Sequence, residues 1–268
     1  MRAFPGVEVL PRPCGMAARM GVSACAMREW ESALREGAAE LGLTISEEAA
    51  GAYRQHFALL LAHNRRAGLT TITDPAEIAV KHFLDSLTAL LVADIGAGDR
   101  AADVGSGGGF PGVVLAAARP QGCYLLIEAN QRRAGFLVKL TAELCLREVS
   151  VVRGRAEEVG REPGHRGKYD WVLGRAVAPM PTLLEYCLPL ARVGGAVVAH
   201  KGPEAEEEMA GSAVALEKLG GRARAMERLS LPRGMGERVL VVVEKTGETP
   251  EAYPRRPGIP RRRPLGGR

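Results

Sequence analysis

The sequence predicts an α/β protein: a largely parallel sheet covered on both faces, preceded by a helical region. Three observations carry that expectation. After Asp99, short apolar runs alternate with helix-like segments, the pattern of strand–helix–strand crossovers. The runs are almost continuously apolar, as in strands buried on both faces. A glycine-rich turn, "ADVGSGGGFPG" (Ala102–Gly112), lies between the first run and the following helix-like segment.

The elements follow in order. Residues 1–26 show neither helical nor strand period, and Pro11 and Pro13 interrupt any apolar stretch of a secretory signal. They are expected to be a disordered extension, with Met27 opening the working protein. Residues 27–93 read as a helical region. "EWESALREGAAELGL" and "SEEAAGAYRQHFALLLAHN" repeat apolar residues at three- and four-residue spacing. In "TDPAEIAVKHFLDSLTALL", Asp74 can cap a helix, Pro75 fits its first position and Glu77 completes a capping box. Residues 94–248 hold the α/β pattern. Its strands are expected in "RAADVG", "CYLLIEA", "VSVVRG", "YDWVLGRA", "GGAVVAHKG" and "RVLVVVEK", with helices near 130–145, 179–191 and 203–219. Residues 249–268 form a Pro/Arg-rich tail, expected to be extended.

Charge is concentrated in that tail. The net charge of +5 equals the excess of six arginines over one glutamate in residues 250–268, so the body is neutral. A localised basic arm suits a polyanion such as nucleic acid; a solubilising tail is the alternative reading. The five cysteines include no CxxC pair, which argues against a disulfide framework or a zinc site and for a reducing, cytoplasmic setting. The five histidines show no ligand spacing, so no metal is expected. No apolar run approaches the roughly 18 residues of a membrane span.

The glycine turn has the context of a nucleotide-type cofactor site. Asp103 ends the first strand, Gly105, Ser106, Gly107 and Gly109 form the turn, and Phe110 precedes the helix opened by Pro111. Glu128 ends the second strand, where an acid meets ribose hydroxyls. A pyrophosphate-binding NAD loop would commonly read GxGxxG. Here the order is DxGxGxG, and an acid just before the turn suits a cationic amino group better than a phosphate. S-adenosyl-L-methionine has that amino group, a ribose and no phosphate; NAD remains the alternative.

Several longer motifs carry a family resemblance. "LTTITDPAEIAVKHFLDSL", "ADVGSGGGFPG", "LIEANQRRAGFL", "GRAEEV", "GRAVAP", "HKG", "GERVLVVV" and "YPRRPGIPRRRPL" occur in an order that resembles the bacterial small-subunit rRNA guanine-N7 methyltransferases, the glucose-inhibited division protein B family. The likeness spans roughly residues 27–266. It implies a Rossmann-like class I S-adenosylmethionine-dependent methyltransferase fold with an N-terminal helical extension. It also implies methylation of one guanine N7 in the decoding-region loop of 16S rRNA, the substrate being 16S rRNA or a small-subunit particle; a monomer is expected. By position, Gly105 and Phe110 would line the cofactor, Ala156 and Glu157 would frame its adenine, and Arg175 would stand in the cofactor pocket.

That chemistry agrees with the residues. Guanine N7 carries a free lone pair and no proton, so alignment matters more than a general base, and no catalytic base is assigned. No DPPY-like clamp follows the fourth strand, and Cys187 reads as core. Arg132, Arg133, Lys201, Arg238, Arg255, Arg256, Arg261, Arg262 and Arg263 are the candidates for RNA phosphates. His82 and Asp85, three apart on a helix, could share a hydrogen bond. A non-catalytic ribosome-assembly factor that kept this fold is the remaining alternative.

Overall fold

The computed structural model describes residues 22–266. Residues 1–21 of the expected extension lie outside them. Residues 22–26 do not, and they are ordered: Ser23 accepts the Ala26 N–H and caps a helix over Ala24–Glu40 that contains Met27. A second helix, Glu47–Ala67, is capped by Ser46 and ends at Gly68, whose φ of +62° closes the turn. Trp30 from the first helix stacks on Phe57 from the second at 5.0 Å and meets Phe83 edge-on at 5.1 Å, sealing an aromatic core. Tyr53 then donates its hydroxyl to Val114 O at 3.0 Å, fastening this helical region to the α/β body.

The segment 75–91 is helical, as its pattern predicts, but not uniformly. Asp74 caps Pro75–Ile78 by accepting the Glu77 N–H. The expected capping box is half made, because the Glu77 carboxylate pairs with Lys81 at 2.8 Å instead. Over Ala79–Leu84 the helix widens into a π turn, a geometry that apolar periodicity does not reveal.

The sheet has strands β1 (Arg100–Val104), β2 (Cys123–Glu128), β3 (Val149–Arg153), β4 (Tyr169–Arg175), β5 (Ala191–Lys201), β6 (Gly221–Ser230) and β7 (Glu237–Lys245). Their order is β3-β2-β1-β4-β5-β7-β6. The first five run parallel, and β7 enters antiparallel to β5 and β6. The reversal of strand order at β1/β4 opens a crevice at the carboxyl ends of the strands, where ligands of such sheets bind. β6 is absent from the sequence expectation. It is an edge strand reading "GRARAMERLS" whose residues stay exposed or half-buried, so it carries no apolar run. The helix expected over 203–219 breaks at Gly211 and Ser212 into Ala205–Ala210 and Ala213–Leu219. Cys187 is core, as expected; of the three alternating β4 residues that also read as core, Tyr169 and Leu173 are buried and Trp171 is half-buried.

The tail departs most from expectation. It folds back rather than extending. Arg161 donates to Pro254 O at 2.7 Å, Arg166 reaches Thr249 O and Tyr253 O, and Thr182 donates to Pro260 O. Arg255 pairs with the fully buried Glu185 at 2.6 Å, and a short helical turn follows at Ile259–Arg262. Proline removes backbone donors, but its carbonyls still accept, and arginines of the body supply the donors.

Candidate active site

The turn after β1 runs through left-handed backbone, which glycine adopts at no steric cost. Gly105, Gly107 and Gly109 have φ of +76°, +53° and +92°. A Cβ on Gly112 would come within 2.5 Å of Leu126 and 2.7 Å of the Asp103 carboxylate, so the helix can start close above β1. Asp103 uses Oδ2 to accept the Gly112 N–H at 2.9 Å, while its buried Oδ1 has no hydrogen-bond partner among the described residues. Burial pushes its carboxyl up to about 6; the Gly112 bond opposes this, and nearby Glu128 adds to it. Glu128 accepts the Gly107 N–H at 3.0 Å and the Asn130 N–H at 2.7 Å, drawing the turn over the end of β2. Asn130 caps the next helix through the Arg132 and Arg133 N–H groups. The corner thus offers an unpartnered buried carboxylate oxygen, a second carboxylate beside it, and a Gly107 where a Cβ would meet nothing closer than the Gly105 carbonyl at 3.8 Å. Those features fit a cationic, hydroxyl-bearing ligand, and they suit S-adenosylmethionine rather than a pyrophosphate.

From outside, the helical region holds this turn. His56 Nε2 donates to Gly108 O at 2.7 Å. The Phe110 ring is sandwiched between the His56 ring at 4.7 Å and the His82 ring at 4.9 Å. Phe110 is therefore a packing element that fixes the turn, buried rather than facing open space. A lone histidine on an apolar helix face gives no sequence signal for such a role.

A cavity of about 490 Å³ opens beyond the carboxyl ends of β4 and β5. Asp85 is its only lining carboxylate among the described residues. Arg175 from β4 donates to Asp85 Oδ2 at 3.0 Å and Arg238 from β7 to Oδ1 at 2.6 Å. Burial alone would raise the Asp85 carboxyl, but these two guanidinium groups outweigh it and hold it below the usual carboxylate range. The π turn exposes the Lys81 carbonyl, and Arg175 Nη1 takes it at 2.9 Å. His82 bonds Thr70 Oγ1 at 2.7 Å and Asp85 takes the two arginines, so the hydrogen bond that their spacing allows is not made. Burial lowers His82 to about 3 and His200 to about 4, leaving both neutral. Neither ring nitrogen of His200 finds a partner among the described residues.

The structure redistributes the remaining sequence candidates. Arg175 stands in this cavity, its guanidinium 5.3 Å over the Phe110 ring. Lys201 lines the cavity, but Glu208 holds its Nζ at 2.6 Å, so it is no free phosphate contact. Arg238 is likewise engaged by Asp85, and Arg255 by Glu185. Ala156 opens a short helix after β3, and Glu157 turns to the tail, accepting the Gly258 N–H at 2.9 Å. Arg132, Arg256, Arg261, Arg262 and Arg263 are exposed, and Arg133 is half-buried.

A parallel sheet with an inserted antiparallel β7 differs from the six-stranded dinucleotide-binding order, which sets the NAD reading aside. Strand order and corner together define an S-adenosylmethionine-dependent methyltransferase with a Rossmann-like fold. A family model described as GidB, rRNA small subunit methyltransferase G, matches residues 50–235. The ribosomal RNA small subunit methyltransferase G of Pelotomaculum thermopropionicum is 45% identical over 232 residues, covering 87% of this chain and 97% of that protein. Its counterpart in Symbiobacterium thermophilum is 47% identical over 237 residues, covering 87% and 96%. A solved Pyrococcus horikoshii structure described as a transferase superposes with a TM-score of 0.50 at 15% identity, over 65% of this chain and 66% of that one, a likeness of fold alone. The chain belongs to the GidB family of rRNA small subunit methyltransferases.

Proposed function

We propose that this chain transfers a methyl group from S-adenosylmethionine to N7 of one guanine in the decoding-region loop of 16S rRNA. The observation that carries the reading is the cavity beside the β1 corner, which is wide enough for a base and offers only weak proton acceptors among the described residues. Its one lining carboxylate is locked between two arginines, and burial leaves His82 and His200 with little affinity for a proton. Such a site suits a nucleophile that brings its own lone pair, and guanine N7 is one.

When bound, S-adenosylmethionine supplies a methyl group made electrophilic by the attached sulfonium. Asp103 Oδ1 would receive its amino group and Glu128 its ribose hydroxyls, with the glycine turn lying against it. Arg175 and Arg238, held rigid by Asp85, shape the cavity and present N–H groups to a base edge. No proton leaves the base, since N7 carries none; the base gains a positive charge with the methyl. The chain's own contribution is therefore alignment and exclusion of water, which are steep functions of position.

Incubation with small-subunit RNA and with assembled subunits, using methyl-labelled cofactor and mapping of the product, tests this. Label on a single guanine N7 in the decoding-region loop is expected. Label on another atom, or none on either substrate, contradicts the proposal.

A further inference from the structure

Two cavities flank the β1 corner, on opposite sides. One is the cavity over β4 and β5. The other, of about 370 Å³, is lined by Arg155, Pro257, Gly258, Arg261 and Arg262. Arg155 stands two residues past the carboxyl end of β3, so this second cavity opens at the same edge of the sheet. Four strand spacings separate β3 from β5 in the sheet order, about 19 Å.

The second cavity is built rather than incidental. Its tail wall is fixed by the Glu157–Gly258 bond, the Thr182–Pro260 bond and the Arg255–Glu185 pair. Glu185 and Glu157 are both buried carboxylates, so the tail is anchored at two interior points. Of the three arginines in the wall, only Arg155 has a carboxylate partner, Glu157 at 3.3 Å. Arg261 and Arg262 make no ion pair among the described residues. A solubilising arm would leave its backbone unanchored. This backbone is anchored on both sides of Ile259, and it carries two exposed, unpaired arginines to the mouth of the cavity beside Arg155, a cluster of guanidinium groups suited to phosphate.

We propose that Arg155, Arg261 and Arg262 form a phosphate site for the RNA backbone, across the cofactor corner from the cavity that takes the target base. This deepens the rRNA methyltransferase reading and rests on it for the identity of the polyanion. RNA entering the base cavity would run along the carboxyl edge of the sheet, and the tail would grip it some nucleotides away. Glu157 makes the grip local to the cofactor corner, since the residue expected to frame the adenine is the one that positions Gly258.

The test is binding of a fluorescein-labelled 20-nucleotide single-stranded RNA to the full chain over a range of KCl concentrations. The pair Arg261→Gln/Arg262→Gln is expected to lose about tenfold in affinity near 0.1 M salt, and its log–log salt slope to flatten by roughly 1 to 1.4. The pair Arg222→Gln/Arg224→Gln, on the far edge strand β6, removes the same charge and is expected to bind as the parent does. Calorimetric binding of S-adenosylhomocysteine checks that both variants are folded. Parent-like affinity and slope in the Arg261/Arg262 pair, or an equal loss in the β6 pair, overturns the site. Thermal stabilisation by inorganic pyrophosphate that the Arg261/Arg262 pair abolishes, with RNA binding unchanged, overturns the assignment to RNA in favour of a free phosphate ligand. A chain that binds RNA as described but transfers no methyl contradicts the methylation reading and leaves this site standing.

Discussion

The β1 corner and the cavity over β4 and β5 each bury an aspartate, with opposite results. Asp103 has one backbone N–H for company and an oxygen left over, and its carboxyl rises to about 6. Asp85 sits between two guanidinium groups and its carboxyl falls below the ordinary range. The corner is therefore an incomplete charge arrangement that a cationic ligand completes. In the cavity the carboxylate is already satisfied, and its two guanidinium partners leave one positive charge over. The difference teaches which carboxylate is open to a ligand: the one at the corner, not the one in the cavity.

Acid breaks this comparison most strongly. His82 and His200 line the cavity, His56 packs on the glycine turn from outside, and burial lowers His56, His82 and His200 to about 4, 3 and 4. In the unfolded chain they take protons below about pH 6.5. The unfolded state then binds more protons than the folded one, so stability falls as pH drops from about 6.5 towards 4. The steepest slope is roughly 4 kcal/mol per pH unit if all three act together. Urea unfolding at a series of pH values checks this; a flat profile between pH 6.5 and 4.5 would show that these imidazoles are not held neutral.

The next effect is at Asp85. Asp85→Ala leaves two part-buried guanidinium groups without their carboxylate, which costs about 3–5 kcal/mol. Methyl transfer is expected to fall at least 100-fold by the same loss of alignment, with S-adenosylhomocysteine binding weakened far less. Unfolding and calorimetry on one preparation separate the two. A variant as stable as the parent would mean that the arginines do not depend on Asp85.

The two regions were unequally legible in the sequence. The corner could be read directly, because a turn that demands left-handed backbone must use glycine, and strand ends place Asp103 and Glu128 at fixed offsets. Strands β1 to β5 and β7 announced themselves by apolar runs, since both faces of a central strand are covered. Edge strand β6 could not, because little of it is buried. The cavity was legible only as a set of charges. That Lys201, Arg238 and Arg255 are consumed by Glu208, Asp85 and Glu185 depends on partners 7, 153 and 70 residues away. The folded tail was hidden for a similar reason: its prolines accept hydrogen bonds from Arg161 and Thr182, which no local pattern records.

The smallest effect on the fold, and the sharpest on the ligand, is at Asp103. Its raised carboxyl means that the folded state loses stability as pH rises from about 4 to 6 and carries the full penalty, roughly 3 kcal/mol, above that. Asp103→Asn keeps an acceptor for Gly112 and removes the charge, so the ligand-free variant should be no less stable than the parent at pH 7, and up to that amount more stable. The decisive measurement is calorimetric titration of parent and Asp103→Asn with S-adenosylhomocysteine between pH 5 and 8. The parent should bind tightly above about pH 6 and lose close to tenfold in affinity per pH unit below it, while the variant binds 10- to 100-fold more weakly with no such dependence. Equal affinity in the two proteins across that range would contradict a corner built to hold a cationic cofactor through this carboxylate.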